Sequence, residues 1–248
     1  MKSSSHSSMF VPNWQSPANV GACQSTRCEG ASLAPYSSFN LGLHVGDDPL
    51  KVLKNRAHLD SLLPNPARYV QQVHGTDIHI VNDESSTDTV IADGLFTNLV
   101  GQPLAIMTAD CLPVLLASKD GTEVAALHCG WRSLAGGIIE KALPLFQSKP
   151  SLIAAWLGPA IGPMAFEVGV EVRAQFLASS AEHELAFKKH RDKYLADLAL
   201  IATQKLNRLG VKAVSNQSEC TYTLNDKYFS YRRDGETGRM ASVIWRKF

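Results

Sequence analysis

A chain of 248 residues, 45% of them hydrophobic, is long enough to bury a substantial core. Its net charge of +1 gives neither the basic footprint of a nucleic-acid binder nor an acidic tail, and no apolar run approaches the length that crosses a bilayer. The five cysteines are odd in number, scattered and without a CxxC pair, which points to reduced thiols rather than a disulfide framework.

Residues 1–9 are Ser-rich and expected to be disordered. They lack the apolar core of a signal peptide, so the expected location is cytoplasmic. From Asn19 to Asp48 the chain is dense in Gly, Ser, Pro and Asn and reads as short strands joined by turns. A helix is expected from Pro49 to Leu63, capped by Asp48, with Leu50, Leu53, Ala57 and Leu59 as its apolar face. "ARYVQQVHGTDIHIV" alternates like a strand broken at Gly75, and "PLAIMTADCLPVLLAS" and "EVAALHCG" read as apolar strands joined by a hairpin at "KDGT". Further helices are expected from Arg132 to Gln147, Glu171 to Ala178 and Lys193 to Leu209. "LIAAWLGPAIGP", "AVSNQSECTYT" and "ASVIWRKF" supply later strands. No repeat or linker interrupts the pattern. The expectation is one α+β domain over residues 10–248, with a large mixed β-sheet flanked by helices.

The hairpin brings chemistry together. If Asp120 and Gly121 form its turn, Lys119 faces Thr122 and Cys111 falls opposite Gly130. His128 is then a diagonal neighbour of Cys111 on one sheet face, about 7–8 Å away between backbones, while Cys129 points to the other face and reads as a small buried residue. His74, at the strand break, offers a third group. Two imidazoles and one thiolate suit zinc with a fourth position open for water, which the ion would activate. The same residues permit a metal-free reading with Cys111 as nucleophile and His128 as its base, and a bland one with two satisfied histidines and an inert thiol. Asp110 is placed to orient a histidine or move a proton. Arg132, near a helix start, is a candidate for phosphate or carboxylate. "FSYRRDGETGR" gathers Tyr231, Arg232, Arg233 and Arg239, and reads equally as a solvated turn.

The ordered motifs "STRCEGASLAPYSSFNLGLHVGDDP", "QVHGTD", "ADG", "TADCLPVLL", "HCGWRS", "GPAIGP" and "FSYRRDGETGRMASVIW" resemble the YfiH-type family, also called multicopper polyphenol oxidase or laccase-like. The resemblance runs from Phe10 to Trp245. It implies a fold similar to that of bacterial toxin glutamine deamidases and a zinc site of His74, Cys111 and His128. It also implies phosphorolysis of adenosine, inosine and methylthioadenosine, with adenosine deamination beside it. Under that reading the partners are a purine nucleoside and phosphate, with no obligate protein partner. Cys111, His128 and Asp110 act as catalytic groups, Arg132 and Arg27 position phosphate, and Asn40 and Gln72 bind sugar or base. Some relatives are implicated in peptidoglycan-precursor editing, which makes a Cys–His amidase the second reading. A metabolite-binding protein with structural zinc, closed by Cys129 or Cys220, is the third.

The chain departs from the family pattern at Glu29-Gly30, in "HCGWRS", and at Ala160, Met164 and Ala165, where relatives often carry cysteine. None of these removes a proposed ligand. Copper is less expected than zinc, because a multicopper oxidase needs clusters of HxH imidazoles and this chain has eight histidines and no HxH.

Overall fold

The computed structural model describes residues 7–83 and 90–248. In chain order the strands are β1 (Met9–Phe10), β2 (Val20–Ser25), β3 (Ile78–Ile80), β4 (Gly94–Thr97), β5 (Leu104–Thr108), β6 (Leu112–Ser118), β7 (Val124–Cys129), β8 (Ile153–Leu157), β9 (Glu167–Val168), β10 (Phe187–His190), β11 (Lys193–Ala196), β12 (Ala213–Asn216) and β13 (Met240–Arg246). The helices are α1 (Pro49–Asp60), α2 (Trp131–Ala135), α3 (Ile138–Ala142), α4 (Val170–Ser179), α5 (Leu198–Arg208) and α6 (Tyr231–Asp234).

A six-stranded mixed sheet runs β12-β8-β6-β7-β4-β3; its outer pairs are parallel and its inner pairs antiparallel. A four-stranded antiparallel sheet, β1-β2-β13-β5, packs against one of its faces. Alternation along β6 and β7 builds this contact. Leu115, Ala117, Val124 and Ala126 meet Leu104, Ile106, Val20 and Ile244 between the sheets. Leu112, Val114, Leu116, Ala125, Leu127 and Cys129 face the other way, under α2 to α5. The outer face of the four-stranded sheet is covered by Leu59 of α1 with Phe39 and Leu41. The layers are thus helix, sheet, sheet, helices. Strands covered on both faces explain why β6 and β7 read as continuous apolar runs. The α+β class and the large mixed sheet are as the sequence implies; the second sheet and the small β10-β11-β9 sheet are not separated by sequence patterning.

Several expectations need correction. Helix α1 has its Asp48 cap, which accepts from the Leu50 N–H at 3.0 Å, but it buries Val52, Asn55 and Leu59 while Leu50 and Leu53 are exposed. The polar Asn55 belongs inside because it donates to the backbone oxygens of Ser38 and Asn40 and accepts from the Ala31 N–H, fixing the preceding loop. The expected helix from Arg132 to Gln147 breaks into α2 and α3 at Gly136-Gly137, where Gly137 adopts φ +90°. The expected Lys193–Leu209 helix starts only at Leu198, with Asp197 as its cap. Lys193–Ala196 instead pairs with β10 and β9. Only Ile78–Ile80 of the 67–81 stretch forms a strand. Residues 1–6 of the expected disordered N-terminus lie outside the described residues, whereas Met9 already pairs with Ser25.

The hairpin register holds although its loop is wider than two residues. Ser118 N–H donates to Glu123 at 3.0 Å, Lys119–Thr122 form the loop, and Leu112 and Pro113 lie opposite Cys129 and His128. Leu115 sits fully buried where the two sheets meet. Leu115→Ala is expected to cost about 2–5 kcal/mol of stability, read by denaturant unfolding, with the folded form keeping its secondary structure.

Candidate metal centre

Three chain segments converge at one end of the β6–β7 pair. His128 is the penultimate residue of β7. Cys111 stands immediately before β6, after a turn in which Asp110 takes φ +94°. His74, itself at φ +60°, belongs to the loop ahead of β3. A non-glycine residue at such angles carries local strain that the surrounding structure must hold in place. The ligating atoms of His74, Cys111 and His128 lie within 4.8 Å of one another, with Cys111 Sγ 3.8 Å from His74 Nε2. Four-coordinate zinc places its ligand atoms roughly 3.3–3.8 Å apart, so this donor set needs only small closure to hold one ion. Gly130 leaves the space: a Cβ there would lie 3.0 Å from His74 Cδ2 and 3.1 Å from Cys111 Sγ.

Asp93, the residue before β4, ties two of these segments together, the His74 loop and β7. Its buried carboxylate accepts from the backbone N–H of Val73 at 3.2 Å, His74 at 2.9 Å and Gly75 at 2.6 Å. It also lies 2.7 Å from His128 Nδ1. Since a carboxylate only accepts, Nδ1 carries a proton whatever the charge on the ring, and Nε2 is left as the nitrogen on which a metal ion would replace a proton. The backbone adds a further tie, with His128 N–H donating to the Asp93 carbonyl at 2.7 Å. "ADG" reads in sequence as a turn, and only its motif order hinted that this aspartate mattered.

Electrostatics in this cluster favour a thiolate facing an imidazolium. Burial alone raises the Cys111 thiol, but the neighbouring His128 and His74 outweigh it and bring it down to about 6. Burial alone lowers His128, but the Cys111 thiolate and the Asp93 carboxylate outweigh it and raise it to about 9. Cys129, on the opposite face, is pushed up by burial, and Cys23 is pushed up to about 12 for the same reason. All five cysteines are free.

A cavity of about 500 Å³ opens beside the cluster. Its walls include Gln72, Thr108, Asp110, Phe166, Tyr231 and Arg239. Not every sequence candidate reaches it. Gln72 lines the cavity but spends its amide on both backbone groups of Met107, at 2.8 Å each. Asp110 lines it with both carboxylate oxygens engaged, one by the Thr221 hydroxyl at 2.7 Å and one by the Arg232 N–H at 2.6 Å. Asn40 is fully buried and holds the Arg239 N–H at 2.9 Å and the Asp47 carboxylate at 2.9 Å. Arg27 lies elsewhere, donating to Ser37 and Asn225 and stacked 4.8 Å over Phe229. Arg132 is exposed against Trp131 and is not part of the cavity wall. Cys220 accepts from the Gly162 N–H at 3.1 Å, and neither it nor Cys129 joins the cluster as a fourth ligand. The "FSYRRDGETGR" segment, by contrast, is no mere solvated turn, because Tyr231, Arg232 and Arg239 all face the cavity.

Two outcomes are expected. In chelator-stripped protein, iodoacetamide modifies Cys111 well before Cys23 and Cys129, with a rate that rises as pH passes about 6, and returned zinc protects it; peptide mapping reads the order. Asp93→Asn keeps the shape but loses the charge that fixes His128, and is expected to weaken metal binding about 10- to 100-fold in a competition titration.

Residues 21–247 match the family described as "Multi-copper polyphenol oxidoreductase laccase". A protein of Shigella flexneri named "Purine nucleoside phosphorylase YfiH" is 50% identical over 241 residues, covering 96% of this chain and 99% of that protein. Its namesake in Escherichia coli K12 is 49% identical over the same length and shares. The crystal structure of Neisseria meningitidis NMB0706 superposes with a TM-score of 0.94 at 41% identity, covering 98% of this chain and 100% of that one. No helix among the described residues is long and apolar enough to cross a membrane. With family, relatives and fold in agreement over nearly the whole length, the chain belongs to the YfiH-type, laccase-domain family.

Proposed function

We propose that this chain is a zinc-dependent purine nucleoside phosphorylase acting on adenosine, inosine and methylthioadenosine, with adenosine deamination as a second activity of the same pocket. The observation that carries the reading is the open set of three ligands, His74, Cys111 and His128, at the wall of a cavity of about 500 Å³. That volume suits a nucleoside-sized ligand. The names of the relatives supply the reaction class. When bound, zinc would supply an electrophilic centre with one coordination position left for a ligand. Copper chemistry of the multicopper kind has less support, since the described residues hold one three-residue cluster and several coppers need several imidazole-rich ones.

The protein's own groups then have distinct tasks. Asp93 holds the proton on His128 Nδ1 and sets the path of the His74 loop, so the ligand atoms need only a small closure to meet on one ion. Phe166 and Tyr231 give the cavity aromatic walls for a flat base. In phosphorolysis an oxygen of hydrogen phosphate bonds to the anomeric carbon while the glycosidic C–N bond breaks; the electron pair leaves with the purine, which takes up the proton that the phosphate gives up. Asp110, with both oxygens already accepting hydrogen bonds, positions the Cys111 turn and the Arg232 backbone rather than carrying that proton. The second reading, a Cys–His amidase, is favoured by one observation: without metal, Cys111, His128 and Asp93 line up as nucleophile, base and orienting carboxylate.

The deciding experiment assays adenosine plus phosphate for free base and inosine, before and after chelation and zinc return. Base release that falls to background on chelation and returns with zinc is the expected result; turnover that survives complete metal removal overturns the metal reading and moves the role of Cys111 to nucleophile. Cys111→Ala is expected to lose both bound zinc and turnover, whereas Cys129→Ala keeps both.

A further inference from the structure

Part of the cavity wall is cationic, and among the described residues no carboxylate pairs with it. Arg239 lines the cavity, and its Nη1 donates only to carbonyls, those of Thr237 at 2.9 Å and Gly238 at 3.0 Å. Among the described residues no carboxylate forms an ion pair with it; Cys111 and Asp110 are the leading acids within electrostatic reach, and Asp110 is already saturated by Thr221 and Arg232. The arm is held firmly. Asn40 accepts its backbone N–H at 2.9 Å, and a Cβ on Gly42 would lie 2.9 Å from its Cγ. Arg232 stands beside it, also without an acid partner among the described residues, donating to the Glu167 carbonyl at 3.1 Å. His44 completes the group, held below its ordinary value by burial and then by the charges of Arg239 and Arg56. Thr108, 1% exposed and on the same wall, has a hydroxyl with no partner in the protein. The Arg239 guanidinium, drawn partly out of water and tied to carbonyls, gains most from an incoming oxyanion, and the exposed Arg232 adds a second charge to the same cavity.

We propose that Arg239, with Arg232 and His44, forms an oxyanion subsite that binds phosphate in the same cavity as the His74–Cys111–His128 group. The subsite replaces Arg27 and Arg132 as the anion-binding residues. It rests on the phosphorylase reading for the choice of inorganic phosphate as its ligand, whereas the geometry calls only for a phosphate-class anion. A phosphate held here shares the cavity with the nucleoside, so the two reactants meet without a path through a second pocket.

The test is equilibrium binding on the zinc-loaded full chain, read by calorimetry without reference to turnover. Inorganic phosphate is titrated with and without adenosine, and adenosine monophosphate is titrated alone. Arg239→Gln is expected to weaken phosphate about 10- to 100-fold, with Arg232→Gln weakening it less. Arg239→Lys, checked for native circular dichroism, serves if the glutamine variant fails to fold and is expected to recover part of the affinity. Phosphate affinity unchanged in both Arg239 variants places the anion on the metal and overturns the proposal. Loss in Arg132→Gln with Arg239→Gln intact overturns it too. Arg239-dependent binding of the nucleotide with none of inorganic phosphate supports the subsite and sinks the phosphorylase reading. Arg239-dependent phosphate binding without phosphorolysis separates the two in the same way.

Discussion

The Asp93 carboxylate is the constraint from which the rest of the site follows. Fully buried, it is made tolerable by three backbone N–H groups and the His128 imidazolium. Those same bonds bend the chain at His74 into its left-handed conformation and fix which His128 nitrogen is left for a metal ion. One residue later Gly94 opens β4, which pairs with β7 and so holds His128 in register. A single buried charge therefore couples strand pairing to ligand orientation.

Sheet parity does the remaining sorting. Cys111 and His128 fall on the face turned towards the second sheet, while Cys129, one residue along, joins the apolar layer under the helices. Adjacent residues of similar chemistry thus reach opposite fates: one thiol is activated by imidazoles, the other silenced by hydrocarbon. The strained angles at His74 and Asp110 flank this face, and the dense packing of both sheets holds them.

Much of this was legible in the sequence because local rules governed it. The "KDGT" turn fixed the β6–β7 register, and period-2 alternation then assigned Cys111, His128 and Cys129 to their faces without tertiary information. The α1 cap was equally local. What escaped was decided by long-range partners. Asn55 goes inside against the apolar pattern because remote carbonyls in the 38–40 loop receive its amide. Lys193–Ala196 looks helical, yet it pairs with Phe187–His190 to cover the helical core. Asp93 and Arg239 sit in turn-like sequence whose polarity suggested solvent, and only the fold reveals that one ties the ligand loops and the other faces the cavity. Arg27 and Arg132 were attractive for being near motifs, which is not the same as being near the cavity.

The three ligands are separated by long stretches of chain, and this spacing has a consequence for folding itself. His74 lies 37 residues before Cys111, and each belongs to a different loop. An ion held by all three would act as a clasp across those loops, shrinking the freedom of any state that keeps it. The unfolded chain offers no such gathered set, so metal availability would set how long the whole molecule stays folded.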